Sequence, residues 1–167
     1  MIAVNLSPRQ INGELIGHVA SSLEQAGLEP SALELEITEG VLMSDSDAVM
    51  PLLTTLARMG VRISVDDFGT GYSSLSYLKR FPLHSLKVDR SFVAGLPAHR
   101  DAVAITHAVV AMAHSLGMNV TAEGVETSEQ SDFLRSIGCE RQQGYLFGRP
   151  VVPGEFAREA QRLQAGV

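Results

Sequence analysis

Residues Arg62 to Leu75 read RISVDDFGTGYSSL, an apolar, strand-like run that ends in two adjacent acids and passes at once into a glycine-rich turn. Burying two neighbouring carboxylates at a strand end is costly unless a cation or dense hydrogen bonding compensates. Asp66 and Asp67 therefore read as ligands of a hard metal ion.

The stretch belongs to a repeating unit. A glycine ends a helical run and a strand follows almost directly in RMG-VRISVDD, in SLG-MNVTAEG and in SIG-CERQQG. Gly27, Gly60, Gly117 and Gly138 each follow a helical run where a left-handed residue is wanted, and Asp45 or Ser46 can cap a second helix. Glu129, behind Thr127 and Ser128, places an acid in a helical first turn.

Short apolar runs thus alternate with amphipathic stretches of helical length, the pattern of βα units on a parallel sheet. Strand candidates are Ile2–Leu6, Leu33–Thr38, Arg62–Asp66, Ser85–Asp89, Asn119–Glu123 and Arg141–Leu146. Helix candidates run around Gly13–Ala26, Ser46–Met59, Leu75–Arg80, Ala102–Leu116, Ser128–Ile137 and Pro153–Gln164.

Asn5, Glu36, Asp66, Asp67, Lys87, Asp89, Glu123 and Gln143 lie within or at the C-terminal ends of six different strand candidates. In a parallel barrel those ends converge on one face, where polar groups read as catalytic. Period-two alternation puts Lys87 and Asp89 on one strand face, and Glu34 and Glu36 on another.

Composition bounds what such a site serves. The chain has 167 residues, 45% of them apolar, which fits one soluble domain with a substantial core. No charge block or proline-rich linker marks a second domain. A net charge of -6 argues against a partner such as duplex nucleic acid, which is held by many Lys and Arg contacts to phosphate. Cys139 is the only cysteine, so no intrachain disulfide forms, and it reads as a small buried hydrophobe. The absence of a bilayer-length apolar run and of a basic-then-apolar N-terminus leads to an expectation of cytoplasmic location.

Asn, Glu and Asp offer oxygen ligands, which suit Mg²⁺ or Mn²⁺ better than zinc. The five histidines have no ligand spacing and read as surface or boundary residues, and the methionines as packing. Adjacent aspartates allow one carboxylate to bridge two ions, the arrangement for in-line phosphodiester displacement. A lysine on a neighbouring strand end can orient the attacking water and offset transition-state charge. Each element alone has a plainer reading. Asp-Asp before Phe-Gly is a common turn, Lys87 a surface lysine, Glu36 a partner for an arginine, Glu39 a cap, and the glycines a turn without the Lys-Ser or Lys-Thr of a phosphate loop. Their joint placement carries the site.

At these residues the chain closely resembles the EAL-domain family, bacterial phosphodiesterases that hydrolyse cyclic di-GMP to the linear dinucleotide pGpG. The resemblance rests on VNLS (Val4–Ser7), ELEITE (Glu34–Glu39), DDFGTGYSSL (Asp66–Leu75), LKVDRSFV (Leu86–Val93), AEGVET (Ala122–Thr127) and QQGYLFGRP (Gln142–Pro150), in family order. It implies that Asn5, Glu36, Asp66 and Asp67 hold divalent metals, with Asp66 bridging. Lys87 would stand near the attacking water, with Glu123 completing the metal or water network. Asp89 and Gln143 match positions lining the same centre. Glu39 matches a residue that secures the DDFGTGYSSL loop, whose Gly69 and Gly71 permit backbone angles that let it change state with ligand.

The naming Glu-Ala-Leu motif, whose glutamate is a metal ligand in the family, is absent from the 167 residues. The chain opens at what resembles the third barrel strand, whereas a complete (β/α)₈ barrel takes around 250 residues. The expected fold is therefore an incomplete TIM-type barrel of about six βα units, a partial EAL-type domain over residues 1–167 with its metal site at the C-terminal strand ends. Open sheet edges lead to an expectation of a homodimer or an element-exchanged oligomer. Sensory or cyclase domains upstream are a further expectation of the resemblance. Two other readings stay open: a non-catalytic cyclic di-GMP receptor or protein-interaction module, and an unrelated barrel enzyme acting on phosphate esters.

Overall fold

A computed structural model describes residues 1–44, 46–69 and 78–164. The six strands found among them are β1 (Ile2–Asn5), β2 (Leu33–Thr38), β3 (Arg62–Phe68), β4 (Ser85–Val88), β5 (Asn119–Ala122) and β6 (Arg141–Gln142). They form one all-parallel sheet in the order β1-β2-β3-β4-β5-β6, each beside its sequence neighbour. This is the α/β half-barrel that the βα repeat predicts.

Helices lie between the strands and after the last one: α1 (Leu15–Ala26), α2 (Glu39–Ser44), α3 (Ser46–Arg58), α4 (Arg90–Val93), α5 (Arg100–Ser115), α6 (Ser128–Ser136) and, following β6, α7 (Pro153–Gln164). Gly27, Gly60, Gly117 and Gly138 all have positive φ, as the helix-end reading requires. The α6 start is a capping box: the Gln130 amide donates to Thr127 Oγ1 at 3.2 Å, and the Thr127 amide to Gln130 Oε1 at 3.1 Å. Two short helices, α2 and α4, follow β2 and β4, where the segments are too short to carry a helical periodicity. The helix expected around Leu75–Arg80, and Asp45 as a cap, fall largely outside the described residues.

Alternation along the strands sorts the interior into two compartments. Leu35, Ile37, Ile63, Val65, Leu86, Val88, Val120 and Ala122 form one set and are buried together with Val49, Leu53, Leu56, Val109 and Leu134 of the helices. Full burial of each large aliphatic side chain stabilises by about 1.5–3 kcal/mol, so this layer between sheet and helices carries the fold. Residues of the opposite parity face the concave side: Glu34 and Glu36, Ser64 and Asp66, Ser85 and Lys87, Thr121, and Arg141. Full barrels fill that space with branched aliphatics. Here it is polar and bonded across strands, which places the chemistry inside the curve of the sheet.

Candidate active site

Lys87 is the centre of the upper polar tier. Its side chain is 4% exposed, and its Nζ lies 2.8 Å from Glu36 Oε2, 3.0 Å from Asp66 Oδ1 and 2.6 Å from Glu123 Oε1. Gln143 Nε2 donates to Glu123 Oε1 at 3.0 Å. One ammonium thus gathers acids from the C-terminal ends of β2, β3 and β5, and the residue following β6 joins them. Burial alone works against the charged lysine, but bonds to Glu123, Glu36 and Asp66 outweigh it and raise its pKa above the ordinary lysine value. Lys87 is a standing cation.

The acids feel the opposite pressure. Burial pushes Glu123 up, and Asp66 and Glu36 add to that push against the lowering effect of Lys87. Asp67 is raised by burial first and then by Asp66 and Asp89. Four carboxylates, Glu36, Asp66, Asp67 and Glu123, stand against one ammonium, an excess of three formal negative charges. Oxygen atoms of Asp66, Asp67 and Glu123 all lie within 4.8 Å of one another. An all-oxygen, electron-rich set of this spacing fits hard divalent cations.

Two consecutive residues of a regular strand point to opposite faces, so Asp66 and Asp67 need a local device to serve one site. The register supplies it: Val65 pairs with Leu86 and Phe68 with Val88, so β3 carries one residue more than β4 across this interval. This bulge holds Asp67 at φ 53, the one non-glycine residue with positive φ among those described. Its amide donates to Asp66 Oδ1 at 3.0 Å. Asp tolerates the left-handed region better than most residues.

The remaining expected residues are distributed as follows. Asn5 ends β1 in register with Glu36, exposed, and lines a depression beside the outer sheet edge. Asp89 caps α4, accepting from the Ser91 amide at 2.9 Å and from its hydroxyl. Burial works to raise its pKa, but these bonds outweigh it and hold the carboxyl low. Glu39 opens α2, buried, with neither carboxylate oxygen hydrogen-bonded among the described residues. Gly69 follows β3 at φ 95, and Gly71 lies outside the described residues.

The structure also adds residues that the strand-end pattern did not single out. A cleft of about 220 Å³ beside Glu123 and Gln143 is lined by Arg90, Glu126 and Tyr145. Arg149 stacks on the Tyr145 ring, 4.4 Å from its centre. One tier below Lys87, Glu34 is bonded to Arg62, Ser85 and Arg141. Its shared parity with Glu36 is visible in the sequence, but its partners on β3, β4 and β6 are not.

Comparison with known proteins matches residues 1–150 to the family model described as EAL domain. The cyclic di-GMP phosphodiesterase NbdA of Pseudomonas aeruginosa is 51% identical over 151 residues, covering 90% of this chain and 19% of the relative. Among solved structures, the PaMucR phosphodiesterase in complex with c-di-GMP has a TM-score of 0.87 at 48% identity, over 93% of this chain and 63% of that one. Klebsiella pneumoniae BlrP1, in a manganese and cyclic di-GMP complex, has a TM-score of 0.82 at 38% identity, over 89% of this chain and 38% of that one. The chain spans about a fifth of the length of the curated relatives it matches.

Proposed function

The chain belongs to the EAL-domain family, and from that premise we propose that it works as part of a metal-dependent phosphodiesterase that hydrolyses cyclic di-GMP to linear pGpG in bacterial second-messenger signalling. The observation that carries the reading is the excess of carboxylate over ammonium at converging strand ends. An enzyme holding two divalent ions of the Mg²⁺ or Mn²⁺ type would use these acids.

In this reading Asn5, Glu36, Asp66 and Asp67 would hold the metal, Asp66 being the residue assigned to both ions. When bound, the metal supplies Lewis acidity and lowers the pKa of water. Lys87, held protonated by its three acids, orients that water and offsets charge building on the phosphoryl oxygens. It does not act as a base. Glu123, bonded to both Lys87 and Gln143, is placed to accept the proton that water loses. Water oxygen then bonds to phosphorus as the bond to one bridging oxygen breaks, and the departing oxygen takes a proton from solvent to leave as a hydroxyl. Gln143 fixes the Glu123 carboxylate, and Asp89 holds the turn that follows Lys87.

Glu39 is read as the anchor of the loop that begins at Gly69 and continues through Gly71, its buried carboxylate being without a partner among the described residues. The exposed Ile2 and Val4 on the outer strand support association with a second copy. Sensory or cyclase domains upstream and a cytoplasmic setting complete the reading. No helix among the described residues is long and apolar enough to cross a membrane.

Incubation of the chain with cyclic di-GMP and Mg²⁺ or Mn²⁺, followed by chromatography, tests this. Linear product that disappears in Asp66→Ala and Lys87→Ala supports it. Binding without product moves the assignment to a receptor of the same fold.

A further inference from the structure

The lower tier of the lumen holds a second hub, of opposite sign to Lys87. Glu34 is 3% exposed. Its Oε1 accepts from Ser85 Oγ at 3.0 Å, and its Oε2 from Arg62 Nε at 3.4 Å and Arg141 Nη1 at 3.2 Å. One carboxylate therefore joins β2, β3, β4 and β6. β2 and β6 are four places apart in the sheet, so the Glu34–Arg141 bond crosses the concave space instead of following the ladder.

Its position bears on the site above. Glu34 precedes Glu36 by two residues, Ser85 precedes Lys87 by two, and Arg141 precedes Gln143 by two. Two residues of strand rise about 6.6 Å, so Glu34, Ser85 and Arg141 sit beneath Glu36, Lys87 and Gln143. The β6 ladder is short, two residues in register with β5. Its distance from β2 decides how closely Gln143 and Glu123 approach Glu36 and Asp66.

We propose that Glu34, with Arg62 and Arg141, is a strap across the lumen that sets the curvature of the sheet and thereby positions the acidic tier for divalent cations. Glu34 and Arg141 are positioning residues and touch no reacting atom. The metal half of this inference rests on the proposed function, whereas the strap itself does not.

Charge alone makes the contrary prediction, which gives the test its force. Arg141 is a cation beneath an excess of carboxylates, so deleting its charge without changing geometry would tighten metal binding. Loss of the strap loosens it. The whole chain and the variants Arg141→Gln, Glu34→Gln and Glu34→Asp are compared by Mn²⁺ titration, and by hydrogen exchange of the metal-free protein over residues 141–146.

The expected result for Arg141→Gln, whose side chain is 34% exposed and whose folding is therefore least at risk, is faster exchange over 141–146 with β3 unchanged. Its Mn²⁺ affinity falls about tenfold, the low end for groups that orient metal ligands. Glu34→Gln shows both effects more strongly, and Glu34→Asp recovers part of each. Unchanged exchange over 141–146, or unchanged or tighter Mn²⁺ binding, in folded Arg141→Gln overturns the strap. If the unaltered chain takes up no Mn²⁺, the metal reading fails, and the exchange comparison still decides the strap.

Discussion

The Lys87 ammonium meets the Glu123 carboxylate at 2.6 Å, joining a residue of β4 to the residue that follows β5 inside the curve of the sheet. The contact is a balance of charge, because the same ammonium also serves Glu36 and Asp66. Replacing Lys87 by Ala leaves three acids facing one another. The metal-free protein should lose about 3 kcal/mol, the lower end for removing one partner of a buried ion pair. Mn²⁺ should restore more stability to Lys87→Ala than it adds to the unaltered protein, since the ion supplies the missing positive charge. Urea unfolding with chelator and with Mn²⁺ checks both, and equal gains in the two proteins would contradict the account. Turnover of cyclic di-GMP should fall about a hundredfold or more.

Asp67 owes its place in the site to the bulge and to its positive φ. Asp67→Asn keeps a residue that accepts this backbone but removes a charge, so it should fold normally and bind Mn²⁺ more weakly. Asp67→Val adds a branched Cβ to a left-handed residue and should also lose at least about 1–2 kcal/mol of stability. Thermal unfolding beside Mn²⁺ titration separates the two effects. An Asp67→Asn variant as destabilised as Asp67→Val would show that the carboxylate, not the backbone, holds the bulge.

Strand parity carries most of what the sequence reveals. Leu35, Ile37, Ile63, Val65, Leu86 and Val88 alternate with Glu, Ser, Asp and Lys, and the polar concave side follows from that alternation, as the parallel sheet follows from the βα repeat. The acidic doublet is different. Period two sends Asp66 and Asp67 to opposite faces, and only the unequal register against β4 brings both into one cluster. Lys87 looks like an ordinary surface lysine until Glu36, Asp66 and Glu123 surround it, because long-range ion pairing leaves no periodic trace. Asp89 shares a strand face with Lys87 in the sequence; β4 ends at Val88, and the Asp89 carboxylate caps α4 while still acting on Asp67. Four-residue helices are too short to register as a period.

Gly144 touches the chain from the other side of the site. A Cβ there would stand 2.2 Å from the Val125 carbonyl oxygen and 2.3 Å from its nitrogen, and both are backbone atoms. The Val125 amide donates to Gln143 O at 3.1 Å, and the Leu146 amide to Val125 O at 3.0 Å. Gly144→Ala must part these two segments, at about 3 kcal/mol, the upper end for overpacking. Because Gln143 moves with them, the Gln143–Glu123 bond should weaken too. Lower Mn²⁺ affinity in Gly144→Ala, together with a lower unfolding midpoint, is the expected outcome. A variant destabilised without any change in metal affinity would separate Gln143 from the metal site.

Metal affinity should depend on pH in the range just above that of ordinary carboxylates. Burial raises Glu123 from 4.5 and Asp67 from 3.8, so in the window above those values these two groups hold more protons in the folded protein than in the unfolded chain. Two consequences share this sign. In the metal-free protein these two groups contribute stability that declines as pH rises through the window. Divalent cations must displace the same protons, so Mn²⁺ affinity should weaken as pH falls through it. Glu123→Gln removes one of the two groups and should reduce the pH dependence as well as the affinity. Titrations at a series of pH values check this, and an affinity independent of pH across the window would contradict it.

His84 should produce an acid limb of opposite sign at the base of the sheet. The Ile63 amide donates to His84 Nδ1 at 3.1 Å, while the His84 amide donates to the Ile63 carbonyl at 2.8 Å. An imidazole accepting at Nδ1 carries no proton there. Burial first, and Arg62 second, lower the His84 pKa from 6.5, against a weaker raising effect of Glu34. Below 6.5 the unfolded chain therefore binds a proton that the folded protein resists, and this contribution is lost as pH falls from 6.5 through the lowered value. His84→Asn places an amide oxygen near the Nδ1 position, so it keeps an acceptor for Ile63 and removes the titration. His84→Ala loses the acceptor as well and should be about 1 kcal/mol less stable than His84→Asn at every pH. With chelator present, Glu123 and Asp67 titrate alike in all three proteins and cancel in the comparison. The difference in urea midpoint between His84→Asn and the unaltered protein should then shift in favour of the variant as pH falls below 6.5. Parallel curves would show that the Ile63 bond does not depend on the protonation state of His84.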